Sequence, residues 1–257
     1  MIEFGDKTFF EEKINEMKLK GFFKQTIKAY TFHYKKFKES NLSRDDFILS
    51  LIEKCHAANT SRLASAAIRF FEGKDNNQFI PKKDKRLPLV LTKQEINKMI
   101  KSLDNIKHRL VISLLYSLGL RLPELINLKP EQVNYIDDTI LIKSGKGKKD
   151  RITLLSKKIK SMLRQYKAGE KYVFEYQGKR YSKRSIQEII KNASRLAGIK
   201  QNVTPHTLRH SFATHLLEKG TDIRFIQKLL GHSSLRTMQI YTHVADNNIK
   251  RIKSPYD

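Results

Sequence analysis

The sequence predicts a mainly α-helical fold with one small antiparallel three-stranded sheet, divided between two domains. Three observations carry this. Apolar residues recur at helical spacing through most of the chain, three short β-branched runs crowd into positions 132–155, and a basic stretch bounded by Pro81 and Pro88 interrupts the pattern. A small helical domain at 1–80, a linker at 81–91 and a larger domain at 92–257 are therefore expected. At 257 residues the chain is long enough for two hydrophobic cores.

In the first domain, helices are expected at about 7–20, 24–39, 43–55 and 61–72. Phe23, Ile27, Tyr30, Tyr34 and Phe37 follow one another at spacings of three and four, which places them on one helical face. Ser43 with Asp46 ahead of Phe47 has the pattern of a capped helix start. The linker that follows is stiffened by its prolines, and four basic residues against one acid suit it to lie along a phosphate backbone or to stay solvated as a plain connector.

Thr92 is a good cap for a helix over 93–103, and further helices are expected at 107–118 and 123–128, the last with Pro123 in its first turn. Strands are expected at 132–136, 139–143 and 151–155, the first two joined by an Asp137-Asp138 turn and the last two by the loop 144–150. A brief strand near 172–174 interrupts helices over 156–167, 182–196, 207–218, 223–230 and 235–240.

The chain carries 51 basic and 26 acidic side chains, a net charge of +25. Residues 1–80 hold 14 and 11 of these, a net of +3, whereas residues 81–257 hold 37 and 15, a net of +22. So large a one-sided excess repels itself and points to nucleic acid as the partner. A lone cysteine, Cys55, excludes an internal disulfide and a cysteine-built zinc site, and a buried thiol is its ordinary role. The longest apolar run, 110–120, is broken by Ser113, Tyr116, Ser117 and Gly119 and is too short to cross a bilayer. With no signal peptide ahead of the first charged residues, a cytoplasmic, nucleoid-associated protein is expected.

The chemistry concentrates in 204–244. This segment reads Thr-Pro-His206-Thr-Leu-Arg209-His-Ser-Phe-Ala-Thr-His, then Leu229-Leu-Gly-His232-Ser-Ser, then Tyr241-Thr-His-Val. It closely resembles the signature of tyrosine recombinases, the family of phage integrases and Xer chromosome-resolution enzymes, and the plan is nearest to the Xer type, with a bias to its archaeal branch. Upstream, Leu118-Gly-Leu-Arg121-Leu-Pro-Glu124-Leu resembles the family's first arginine box, and Ser144-Gly-Lys146-Gly-Lys-Lys-Asp-Arg151 its lysine-bearing hairpin. The resemblance is strong over about 81–250, while the first domain matches only in length and helical character.

That resemblance implies a helical, SAM-like core-binding domain followed by a catalytic domain. It also implies a site of Arg121, Lys146, His206, Arg209, His232 and Tyr241, with Glu124 bracing the arginines. Tyr241 would be the nucleophile, forming a 3′-phosphotyrosine intermediate on the way to a Holliday junction. No cofactor and no metal are implied. The partners would be double-stranded DNA with paired inverted half-sites and three further copies of the chain, the free protein being a monomer or weak oligomer. At Leu122-Pro123 the sequence departs from a family pattern that often has a small or branched residue and then serine.

Elementary chemistry asks for the same residue types. A phosphodiester resists nucleophiles until the charge building on its oxygens is neutralised, and a guanidinium donates in pairs and stays charged. The nucleophile must lose a proton and the departing sugar oxygen must gain one, tasks open to His206 and Lys146. A tyrosine of ordinary pKa about 10 gains acidity beside arginines. Each residue alone has a plainer explanation: Tyr241 as packing, His206 as a helix cap, Arg121 covering a helix end, Glu124 as a surface acid, Lys146 at a hairpin tip. Only the ordered set argues for a site. His206 and His210 stand one helical turn apart as zinc-protease ligands do, but Arg209 lies between them and no glutamate does.

Two rival functions share parts of this pattern: a type IB topoisomerase, and a DNA-binding architectural protein that does not cleave. Downstream of Tyr241, Ala245, Ile249 and Ile252 would give a short tail helix over 242–257 one apolar stripe, to be packed either on its own domain or on a neighbouring copy.

Overall fold

The computed structural model describes residues 4–54, 58–73, 88–143 and 150–231. Cys55, most of the linker, the Lys146 loop, the expected helix at 235–240, His232, Tyr241 and the tail lie outside these residues. The chain falls into two compact units, divided between Arg86 and Leu87.

The first unit holds α1 (Phe4–Leu19), α2 (Lys24–Ser40), α3 (Arg44–Glu53) and α4 (Ala58–Glu72). Ser43 caps α3 as expected, its hydroxyl accepting from the Asp46 N–H at 3.2 Å. α2 lies along α4, whose buried face runs from small residues, Ser61 and Ala64, to large ones, Ile68 and Phe71. Tyr34 of α2 stacks on Phe71 with ring centroids 4.3 Å apart. The aromatic face expected on α2 holds for Tyr34 and Phe37, which are buried, and for Ile27 and Tyr30, which pack at the edge of the core. Phe23 departs from it. It is the residue before the first helical turn, with extended backbone, and its ring is exposed.

The second unit opens with Leu91, 1% exposed, whose N–H donates to Ser211 Oγ at 2.9 Å. Helix α5 (Lys93–Lys101) begins at a full capping box: Thr92 accepts from the Glu95 N–H, and the Glu95 carboxylate accepts from the Thr92 N–H. In α6 (Ile106–Ser117) every residue from 110 to 115 is buried, which makes it the central helix of the unit. Then come α7 (Leu122–Ile126), the strands β1 (Val133–Asn134), β2 (Thr139–Ile142) and β3 (Arg151–Leu154), and α8 (Lys157–Tyr166). A second pair of strands, β4 (Glu175–Tyr176) and β5 (Lys179–Arg180), precedes α9 (Lys183–Leu196), α10 (Pro205–Glu218) and α11 (Ile223–Leu230). Helices α5, α8, α9 and α10 all pack against α6 or one another.

The three-stranded sheet is antiparallel in the order β1-β2-β3, with Ile142 opposite Arg151 and Leu141 opposite Ile152. Its inner face carries Ile140, Ile142, Arg151 and Thr153, all buried, while Ile152 and Leu154 are exposed on the outer face. Two expectations are corrected. The brief strand expected at 172–174 lies instead at Glu175–Tyr176 and is half of a hairpin turning at Gln177-Gly178, where both residues have positive φ; Val173 and Phe174 are core residues. Helix α10 starts at Pro205 rather than at Thr207, because Thr204 provides the cap and proline is well suited to a helix's first position. This shift puts His206 inside the first turn.

Candidate active site

Three polypeptide ends meet at one place in the second unit: the turn into α7, the start of β3 and the end of α11. Gly119 makes the first of these possible. It has φ +58°, and a Cβ there would stand 2.5 Å from Phe212 Cδ1 and 2.7 Å from Leu230 Cδ2, so the turn lies directly against α10 and α11. Arg121 follows in extended backbone, and α7 begins behind it.

Glu124, on the first turn of α7, is the hub. Its Oε2 accepts from the Arg121 backbone N–H at 2.7 Å, fixing the helix start. Its Oε1 accepts from Arg121 Nη1 at 2.8 Å. The guanidinium of Arg151 meets the same carboxylate with both prongs, Nη1 to Oε1 at 2.8 Å and Nη2 to Oε2 at 2.7 Å. Arg209 Nη1 stands 4.0 Å from Oε2. Burial would raise the Glu124 carboxyl, but the hydrogen bonds and charges of Arg151 and Arg121 outweigh it and hold the group at about 2.

The same three arginines close the end of α11. Its last carbonyls have no partner within the helix, and three consecutive ones each accept from a different guanidinium. Leu229 O accepts from Arg151 Nε at 2.7 Å, Leu230 O from Arg209 Nη2 at 2.6 Å, and Gly231 O from Arg121 Nη2 at 2.9 Å. Arg209 also donates to Gly119 O. Cations at a helix C-terminus are doubly favourable, through these bonds and through the helix dipole. Gly231 ends the helix at φ +62°, with the Arg151 side chain packed against it.

His206 lies on the first turn of α10 and is exposed to solvent. Its imidazole is held below the ordinary 6.5, first by loss of hydration and then by the positive charges of Arg209 and Arg121. Both effects favour the neutral imidazole, which has a nitrogen able to accept a proton. His210, one turn on, is pushed down to about 4 by burial and by His206 and Arg209. His215 has a structural partner, its Nδ1 lying 2.9 Å from Tyr116 Oη.

Four of the seven expected residues, Arg121, Glu124, His206 and Arg209, are thus brought together. Lys146, His232 and Tyr241 lie outside the described residues. In the sequence Arg151 stands at the end of the lysine-bearing hairpin motif, with no role of its own assigned to it. A further signal is that it shares a face of β3 with Thr153, a face that hydrophobic alternation alone would assign to solvent in favour of Ile152 and Leu154.

The phage integrase family profile matches residues 89–248. The chain belongs to the phage integrase family. The tyrosine recombinase XerA of Pyrococcus horikoshii is 37% identical over 267 aligned positions, which cover 96% of this chain and 93% of that one. The crystal structure of XerA recombinase superposes with a TM-score of 0.61 at 28% identity, over 96% of this chain and 99% of that one. A lambda integrase tetramer bound to a Holliday junction shares the fold at 18% identity, with a TM-score of 0.74 over 91% and 76%. The protein is a site-specific tyrosine recombinase, nearest to the Xer type. Neither the topoisomerase nor the non-cleaving alternative is favoured, since the likeness to recombinases runs through both units.

Proposed function

We propose that this recombinase breaks and rejoins DNA one strand at a time through Tyr241, with Arg121 and Arg209 neutralising the scissile phosphate. The observation that supports this best is the convergence of these two guanidinium groups on a single braced carboxylate, with His206 within reach of their charges. The Tyr241 oxygen attacks phosphorus and the bond to the 5′ oxygen breaks, leaving a 3′-phosphotyrosine and a 5′-hydroxyl. His206 takes the phenolic proton, Lys146 supplies one to the 5′ oxygen, and His232 hydrogen-bonds a phosphate oxygen. Attack by a 5′-hydroxyl from a second duplex reverses the step, and the phosphotyrosine bond conserves the energy for rejoining.

The substrate in this reading is a pair of duplexes, each with inverted half-sites, held by four copies of the chain. Exchange of one strand pair then makes a Holliday junction, the structure on which the related lambda integrase tetramer is seen. Chromosome-dimer resolution, or integration and excision of a mobile element, in the cell interior is the corresponding task. No described helix is long and apolar enough to cross a membrane.

The test is trapping on a nicked duplex that carries the site selected by the protein from a random pool. The wild-type chain should form a covalent adduct in excess chelator and without nucleotide, because the carboxylate at this site is wholly engaged by arginines. Tyr241→Phe should bind the duplex with near-normal affinity and form no adduct. An adduct from Tyr241→Phe, or one that requires a divalent ion, would overturn the assignment.

A further inference from the structure

The reaction as proposed gives a task to two of the three arginines at Glu124 and none to Arg151, which makes the strongest contact of the three with that carboxylate. Its side chain is 6% exposed, and both prongs of its fork are spent on Glu124. Its charge is therefore already met by a full two-pronged carboxylate pair, whereas Arg121 gives Glu124 one prong and Arg209 stands 4.0 Å from it. Its remaining bond, from Nε, goes to the carbonyl of Leu229. Arg151 thus links three elements that are far apart in sequence: β3, α7 and the end of α11.

We propose that Arg151 is a positioning residue for strand cleavage, fixing Glu124 by a two-pronged ion pair and the end of α11 through Leu229, so that Arg121 and Arg209 keep the orientation that serves the phosphate. The lone pairs of Glu124 carry the argument. An ionised carboxylate offers about four acceptor positions, and here Arg121 fills two and Arg151 fills two. Without Arg151, two acceptor positions on a buried carboxylate are left open. Among the described residues, Arg121 and Arg209 are the other cations paired with it, the latter 4.0 Å away. A movement of either to fill them turns a guanidinium inward, toward the carboxylate and away from substrate. Charge points the same way. Three arginines against one glutamate leave the centre with a surplus of two positive charges, and losing Arg151 halves that surplus just where negative charge builds on the phosphate. The contact with Leu229 adds a geometric term, because the chain leaving α11 leads in sequence to His232 and Tyr241.

This inference rests on the reading of Arg121 and Arg209 as phosphate-binding groups, and its test separates the two. Single-turnover cleavage of the nicked duplex described above is measured for the wild-type chain, Arg151→Ala and Arg151→Lys, alongside duplex affinity and thermal unfolding. Misplaced reacting groups cost on the order of 100-fold in rate, so Arg151→Ala should cleave about 100-fold more slowly with duplex affinity within roughly threefold of wild type. Arg151→Lys, which restores a point charge without the fork, should fall between the two. Added guanidinium ion should raise the rate of Arg151→Ala and leave the wild type unchanged, a response that general loosening of the fold would not give. A wild type that forms no adduct defeats the reading of the site itself. Given an active wild type, near-normal cleavage by either variant overturns the inference. Should Arg151→Ala fail to fold, a folded Arg151→Lys with slowed cleavage and normal affinity supports it. If neither variant folds, Arg151 is a folding residue and the inference fails.

Discussion

Glu124 is the residue on which most of the candidate site depends, and its environment makes a prediction about acid. Its carboxyl is held at about 2, against 4.5 for an ordinary glutamate, so the folded protein binds this proton less readily than the unfolded chain does. The stability this contributes is fully present above pH 4.5 and is lost as pH falls toward 2. A shift of that size corresponds to roughly 3 kcal/mol. Glu124→Gln should therefore lower stability at pH 7 by about that amount and unfold with a shallower pH dependence between 4.5 and 2 than the wild type. Urea midpoints across that range check this, and equal steepness in the two proteins would show that the carboxylate is not the linked group. At this scale the sequence was informative wherever a residue type is demanded by chemistry and embedded in a recognisable motif, as Arg121, His206 and Arg209 are. Arg151 was hidden because its meaning lies in partners 27 and 78 positions away, at Glu124 and Leu229. The hairpin motif in which Arg151 stands names neither partner.

At the level of elements, the site is made from helix ends rather than helix faces. The start of α7 presents Arg121 and Glu124, the first turn of α10 presents His206, and the end of α11 is the surface on which all three arginines close. Those boundaries were legible in the sequence where a side chain creates them. Ser43, Thr92, Ser156 and Ser182 each accept a backbone N–H from the first turn of their helix, and each expected start falls at or next to the observed one. The hairpin at β4–β5 was not legible, because its four strand residues are polar or amphipathic and largely exposed and so show no apolar alternation. Its turn also places Gln177 at φ +50°, where asparagine or glycine is the usual signal. Packing between ends leads to a prediction at Gly119. Gly119→Ala imposes a left-handed backbone on alanine and drives a methyl group into Phe212 and Leu230, which should cost about 2 kcal/mol or more. Because the Gly119 carbonyl accepts from Arg209 Nη1, the same change should slow cleavage more than it weakens binding. Denaturant midpoints and adduct formation test the two halves, and a variant as stable as wild type would mean that the α6–α7 turn can relax away from α10 and α11.

For the whole molecule, the distribution of charge decides how the two units share the work of holding DNA. Residues 81–257 carry a net charge of +22 and residues 1–80 only +3. Within the second unit much of this charge is uncompensated: among the described residues, few of its lysines are in ion pairs. Each phosphate neutralised on binding releases condensed counterions, so the slope of log affinity against log salt is about −0.9 for each phosphate contact. If contact follows charge, the second unit supplies most of that slope. Residues 1–80, with nearly balanced charge, then contribute area and orientation more than electrostatic attraction. The full chain should therefore lose on the order of 10³-fold or more in affinity between about 50 and 200 mM salt, as expected for six or more phosphate contacts. A fragment of residues 81–257, which contains an independent hydrophobic core, should bind more weakly at every salt concentration yet keep most of the slope. Fluorescence anisotropy on one labelled duplex, titrated across that salt range with both proteins, gives the two slopes directly. A shallow slope for the full chain would mean that apolar and base-edge contacts dominate. A fragment that binds with little salt dependence would move the electrostatic footprint to residues 1–80, against the charge they carry.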